Sequence, residues 1–346
     1  MVERRAIVQR LAAAAGAVLC TAAAPDSSFV PVFTENFPDP FVLLHGSEFI
    51  AYSTNDGPNV PVAISSDLVH WSFAVDPAQP GRRRDALPRL GSWAKQGFTW
   101  APEVLQIGSK FLLYYTASDR RKNAQCIGAA IASDPLGPFI DSSPEPIVCQ
   151  IDLGGSIDAD AFRDDDGKLY LYFKNDGNRV GKHSSIWGQA LSPDGLSVVG
   201  EPTALISDDK DWEQRLVEAP TMVRSPVGYE LFFSAAFFGW NPEQRLSPYA
   251  MGYSSCTGPL GPCTKSPDNP ILHSFNERDA GCLSGPGHQS IFRLGERRFM
   301  SFHAWAATRG CRKAGDKREL YIAPIFWKDG KPQIAPSLRP AVTPAS

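Results

Sequence analysis

The chain lacks the marks of several large function classes. Its one notable apolar run, Leu11 to Leu19, is far short of the roughly 20 residues that a membrane-spanning helix needs. No cluster of Lys and Arg interleaves with aromatic residues, and the formal net charge is only -3, so no nucleic acid is expected as a partner. There is no C-x-x-C pair to suggest zinc, no G-x-S-x-G elbow, no phosphate-binding P-loop and no H-E-x-x-H motif. No N-x-S/T acceptor occurs for N-glycosylation. Beyond the N-terminus, no long amphipathic helical pattern stands out.

What is present is ordinary in bulk and informative in order. The 346 residues are 43% hydrophobic and 21% charged, with 29 Gly and 30 Pro arguing for many turns. Arg4, Arg5 and Arg10, the apolar run, and Ala22-Ala23-Ala24 before Pro25 read as an export signal over residues 1–24. Arg4-Arg5 also permits a twin-arginine route. Leu19 before Cys20 is bulky for a lipoprotein cut, so no membrane anchor is expected after cleavage. Six cysteines then remain, an even number suited to disulfides in an exported protein. Pairing in chain order would give Cys126–Cys149, Cys256–Cys263 and Cys282–Cys311, one of 15 possible sets.

Five segments repeat one pattern: an entrance motif, a strand, a short turn, and a strand rich in Phe and Tyr. They begin at residues 39, 101, 158, 219 and 287, for example "APEVLQIGSKFLLYYTA" and "DADAFRDDDGKLYLYFKN". Each is followed by a second hairpin with an Asp, Pro or Gly turn, such as "SIWGQALSPDGLSV". Four short strands repeated five times predict an all-β, five-bladed β-propeller with four antiparallel strands per blade, as a single domain over 25–346. An all-β sandwich is the alternative. "DDDGK" at 164–168 lacks the spacing of a calcium loop and reads as a hairpin turn.

Radial packing brings the blade entrances together at one end of the axis. The chain has Asp39, Glu103, Asp158, Glu218 and His288 there. Crowded carboxylates push one another's pKa values apart, so one stays protonated while another stays ionised. Glycoside hydrolysis uses such a pair as acid and base. Trp100 is a candidate sugar-stacking wall, Glu103 a brace at the substrate, and Lys174 a candidate hydrogen-bond donor to it. Asp160 is a rival to Asp158. The remaining histidines, His303 among them, read as packed or polar residues.

In "DP" at 39–40, "WAPE" at 100–103, "IDADAFRDDDGKLYLYFK" at 157–174, "EAP" at 218–220 and "GPGH" at 285–288, the chain resembles glycoside hydrolase family 43. The resemblance covers roughly residues 33–335. It implies Asp39 as general base, Glu218 as general acid, and Asp158 as the third carboxylate that tunes and positions the acid. It implies inversion, with base and acid about 6.5–9.5 Å apart. It implies a calcium ion near the axis, held largely through waters beside His288, and Arg318 facing the sugar. One departure stands out: Ala159 follows Asp158 where the family usually has Pro. The expected protein is a secreted monomer acting on arabinose-containing oligo- or polysaccharide. β-Xylosidase activity and a non-catalytic carbohydrate-binding propeller are the alternatives. The stretch Trp240–Gly252 is expected to close one side of the pocket and to favour exo cleavage.

Overall fold

The computed structural model describes residues 28–243, 245–277, 281–308 and 310–336, so the expected signal peptide lies outside them. Among the described residues the helical segments are three short 3-10 turns, and none is long and apolar enough to cross a membrane.

Among the described residues the strands form five blade sheets around an axis, with the first strand of each innermost, and one separate two-stranded hairpin. Blade one has β1 (Phe41–His45), β2 (Glu48–Tyr52), β3 (Val62–Ser65) and β4 (Ser72–Phe73). Blade two has β5 (Trp100–Ile107), β6 (Lys110–Ser118) and β7 (Gln125–Ala132). Its outermost strand is reduced to two bridges on β7, Ile131–Ile140 and Ile127–Val148, and the chain between them carries Pro144 and Pro146, which have no N–H to extend a ladder. Blade three has β8 (Ser156–Arg163), β9 (Leu169–Asn175), β10 (Ser185–Leu191) and β11 (Val198–Ser207). Blade four has β12 (Val217–Ser225), β13 (Gly228–Ala235), β14 (Ala250–Cys256) and β15 (Cys263–Lys265). A small hairpin, β16 (Phe275–Glu277) and β17 (Gly281–Leu283), precedes blade five. That blade has β18 (Gly287–Leu294), β19 (Arg297–Thr308), β20 (Arg312–Lys328) and β21 (Lys331–Ile334).

The core is not one nucleus but five, one between each pair of neighbouring blades. The strand "LYLYFKN" shows why the second strands are so aromatic. Leu169, Leu171 and Phe173 face blade two, whereas Tyr170 and Tyr172 face blade four. Both faces of the strand are buried, so polar alternation disappears and large residues fill each gap.

The ring is closed by the N-terminal segment. Phe33 bridges Leu320 of β20, and the Phe37 N–H donates to the Arg318 carbonyl at 2.8 Å. The Arg318 N–H donates to Asn36 Oδ1 at 3.1 Å. This closure holds the chain before β1 against blade five, and so Asp39 beside Arg318. Cysteines join in chain order: Cys126–Cys149, Cys256–Cys263 and Cys282–Cys311.

Candidate active site

At each blade entrance one residue takes left-handed backbone geometry: Asp39 (φ 55°), Ala101 (44°), Asp158 (58°), Ala219 (51°) and His288 (51°). In four blades the strand register slips there, between Trp100 and Glu103, Ile157 and Asp160, Glu218 and Thr221, and Gly287 and Ser290. A bulge of this kind re-aims side chains, at a cost of about 1–3 kcal/mol per non-glycine left-handed residue. The neighbouring blade stabilises it by accepting the exposed N–H. Ala101 donates to Thr54 Oγ1 (2.9 Å), Asp158 to Thr116 Oγ1 (3.2 Å), His288 to Ser234 Oγ (2.8 Å) and Asp39 to His303 Nδ1 (3.0 Å).

The fifth junction differs. Lys174 pairs with Ile157 as Thr116, Ser234 and His303 pair with Trp100, Glu218 and Gly287. A lysine cannot accept a hydrogen bond. The Ala219 N–H therefore turns to Asp158 Oδ2 at 3.0 Å, and Lys174 Nζ reaches Glu218 Oε2 at 3.2 Å. Breaking the structural pattern at one junction thus couples Asp158 to the backbone beside Glu218.

Asp39, Asp158, Glu218, Trp100, Lys174, Arg318 and His288 all line one cavity of about 490 Å³. A larger cavity of about 560 Å³ lies on the rim of blades one and two. Its arginines are already engaged there: Arg84 with the Leu136 and Gly137 carbonyls, Arg83 with Asp56.

The three carboxylates sit in different electrostatic settings. Burial alone would raise Asp39. The Arg318 guanidinium at 3.1 Å, then His288 at 3.3 Å and the Thr54 hydroxyl, outweigh burial and hold it well below the usual carboxylate range. His303 lies as close, but its Nδ1 carries a lone pair that accepts the Asp39 N–H, so this contact is no ion pair. Burial pushes the His303 imidazolium far below its normal range, and its Nε2 is buried without a hydrogen-bond partner. Asp158 is pushed up to about 6 by burial, with Glu218 and Asp39 adding to the push and His288 and Lys174 opposing it. Lys174 is only 1% exposed and bridges Glu218 (3.2 Å) and Asp176 (3.7 Å).

Glu103 corrects the sequence reading. It stands two residues past the left-handed position, level with Asp160, and lines the narrow axial channel rather than the large cavity. Its Oε1 accepts the Ala161 N–H at 2.6 Å. Burial, then Asp160, pushes Glu103 well up, while Asp160 is pushed by burial to about 7 and accepts the Met222 N–H at 3.0 Å. This pair braces blades two, three and four from beneath. Asp160 is therefore committed below the mouth, whereas Asp158 opens onto it. "DDDGK" forms the hairpin turn between β8 and β9, with the Asp164 N–H donating to the Lys168 carbonyl at 2.9 Å.

For a calcium ion the donors are sparse. Among the described residues no three His, Cys, Asp or Glu side chains are arranged to hold a metal ion directly. An ion beside His288 would have to take most of its roughly six to eight oxygens from water, as the resemblance implies.

Three contributors were not singled out from the sequence. The Tyr249 hydroxyl is buried in the pocket without a hydrogen bond of good geometry, close enough to Glu218 for that charge to add to the upward push of burial. Gly287 makes room for it, since a Cβ there would meet the Tyr249 ring at 2.1 Å. Phe237 and Phe238 form part of the rim. The stretch expected to close the pocket contributes Tyr249, but the wall itself comes from the two phenylalanines just before it.

Lys174→Met is expected to leave Glu218 and Asp176 facing each other without their shared cation. Removing one partner of a buried ion pair costs about 3–5 kcal/mol. The melting temperature should fall and the pH profile should shift, as thermal unfolding and rate measurements over pH will show. Unchanged values of both would mean that Lys174 does not hold Glu218.

Known proteins resemble the chain over most of its length. The family model described as Glycosyl hydrolases family 43 matches residues 30–332. The extracellular exo-α-(1→5)-L-arabinofuranosidase ArbA of Cellvibrio japonicus is 25% identical, over 92% of this chain and 90% of its own. A β-xylosidase of Bacillus subtilis is 27% identical over 88% of this chain, which spans only 56% of that relative's length. A thermostable family-43 glycoside hydrolase of known crystal structure superimposes with a TM-score of 0.73 at 28% identity, covering 92% of this chain and 99% of its own.

Proposed function

The chain belongs to family 43 of the glycosyl hydrolases and is a glycoside hydrolase, and on that premise we propose that it cleaves α-L-arabinofuranosyl linkages of plant polysaccharide with inversion. The observation that carries the reading is the convergence of Asp39, Asp158 and Glu218, from three blades, on one cavity. Asp39, held ionised, accepts a proton from water as the water oxygen bonds to the anomeric carbon. Glu218 gives its proton to the departing glycosidic oxygen as that bond breaks. Asp158 and Lys174 orient Glu218 from two sides. Trp100 forms a wall for the sugar ring, and Arg318 fixes Asp39 and faces the same space. The ArbA likeness over nearly both full lengths favours the arabinofuranoside, and the β-xylosidase relative supplies the second reading. The three disulfides and the extracellular relative support a secreted protein.

A panel of aryl α-L-arabinofuranoside, aryl β-xyloside and linear arabinan, with the product anomer read by NMR, tests this. Faster turnover of the xyloside would favour the second reading. Glycan binding with no cleavage of any substrate would make the protein a binding propeller instead. Mid-chain products from arabinan would exclude exo action.

The pH profile carries a sharper expectation. Asp39 remains ionised throughout the working range, so it cannot set the acid limb. Asp158, raised to about 6, can. The kcat/KM should fall below about pH 6 as the carboxylate cluster containing Asp158 takes up a proton. Asp158→Asn should lower the rate and abolish that limb. A limb that stays in place in the variant would assign it to another group.

A further inference from the structure

The catalytic cavity does not end at its rim. Asn178, Leu216 and Phe237 also line a second cavity of about 360 Å³, completed by Gly181, Lys182, Gln214 and Arg215. Its volume lies within the roughly 300–1,000 Å³ of ordinary ligand sites. The two spaces differ in their charged lining. The catalytic cavity mixes four carboxylates, Asp39, Asp158, Asp176 and Glu218, with the cations Lys174, Arg179 and Arg318. The side cavity has two cations and no carboxylate.

Those cations have no acidic partner among the described residues. Arg215 makes no hydrogen bond or ion pair there, and Lys182 Nζ donates only to the Asp152 backbone carbonyl, at 2.5 Å. Of the acids on the flanking segments, Glu213 holds Lys265 at 2.6 Å, Asp208 holds His183 at 2.5 Å, and Asp176 holds Lys174 and Arg179, while neither the Asp152 nor the Asp211 carboxylate pairs with Lys182 or Arg215. Gln214 (φ 48°) and Arg215 (φ 64°) are consecutive left-handed residues, a costly conformation that aims two polar side chains from one short turn. Phe237, 57% exposed, offers an apolar face between the two cavities.

We propose that the side cavity is a subsite for a uronic acid, carried on the polysaccharide near the scissile furanoside. The C–H face of the sugar would lie on Phe237, and its carboxylate would meet Arg215 and Lys182. Arg presents a planar fork matched to a carboxylate. The inference rests on the glycosidase reading above and names the glycan class that the site prefers.

The probe is an arabinofuranosylated xylo-oligosaccharide bearing one glucuronic acid branch, beside its carboxyl-reduced counterpart, in which the carboxylate is replaced by an uncharged hydroxymethyl group. At low salt the acidic form should have the higher kcat/KM, by about three- to tenfold for two exposed cations. The advantage should shrink as salt rises to about 0.5 M, and should vanish in the double variant Lys182→Gln/Arg215→Gln. Turnover of an aryl α-L-arabinofuranoside should be unchanged in that variant. Calorimetric binding of both oligosaccharides to the Glu218→Gln protein gives the same comparison without turnover. Equal affinity and equal kcat/KM for the two forms would overturn the subsite. Absence of any cleavage would overturn the glycosidase reading, while the binding ratio still decides the subsite.

Discussion

Asp39→Asn is expected to lower kcat by about 10²- to 10⁴-fold, the usual contribution of a general base. The change is nearly isosteric, and most of what holds the residue in place does not depend on its charge. The backbone N–H still donates to His303 Nδ1, and the left-handed entrance is still supported by that bond. What is lost is the negative charge between Arg318 and His288. The variant should therefore fold, bind glycan, and fail at water activation. Arg318 is left without its counter-ion, so a modest drop in melting temperature should accompany the loss. The strong cationic setting also has a kinetic consequence. A carboxylate held so far below its ordinary range is a weak base, and its competence depends on how far substrate loosens the Arg318 contact. Arg318→Lys, which keeps the charge but not the planar fork, should lower kcat less than Asp39→Asn while raising KM. An Asp39→Asn protein retaining a tenth or more of wild-type turnover would remove Asp39 from the role of base.

The architecture was legible because each gap between blades is filled by period-two strands. "LYLYF" and its counterparts announce a strand buried on both faces, and the paired hairpins mark the repeat. The disulfides follow the chain-order pairing, which the sequence alone offered as one of 15 sets. The outer strand of blade two was not legible. Its sequence matches the other hairpins, but the stretch between Ile140 and Val148 carries Pro144 and Pro146, so the ladder is left as two separate bridges, Ile131–Ile140 and Ile127–Val148.

At the site, the ring of entrances could be read but not its depth. A single left-handed residue per blade rotates the chain, so neighbours in sequence look in different directions. Glu218 precedes that residue, Asp158 occupies it, and Glu103 follows it by two. Laid side by side in the repeat all three look equivalent; in space Glu103 points into the axial channel. Tyr249 was hidden for another reason. It reaches the pocket just ahead of the third strand of its blade, which the repeat gives no cause to inspect, and only the space left by Gly287 admits it. The informative anomaly was Lys174. Its counterparts in the other blades can accept a hydrogen bond and it cannot. A lysine in that place signals that the junction serves Glu218 rather than the backbone alone.

Glu218→Gln should divide substrates by their leaving groups. A general acid matters in proportion to the basicity of the departing oxygen. With a sugar hydroxyl as leaving group, the loss is expected to be about 10²- to 10⁴-fold. With a dinitrophenyl arabinofuranoside, whose phenolate departs without protonation, the loss should be small. The surroundings make the test clean. The amide that replaces the Glu218 carboxyl can still lie within reach of Lys174, which keeps Asp176 as a partner at 3.7 Å, so no buried cation is left bare. Ser234 Oγ, across the strand pair, still accepts the His288 N–H, so the blade entrance stays closed. The wild type delivers a proton from Glu218 to the leaving oxygen, whereas the variant has none to deliver and depends on a leaving group that departs as its anion. A loss of equal size on both substrates would mean that Glu218 positions the sugar rather than protonating the leaving oxygen, and Asp158, its neighbour through the Ala219 N–H, would then be the acid to examine.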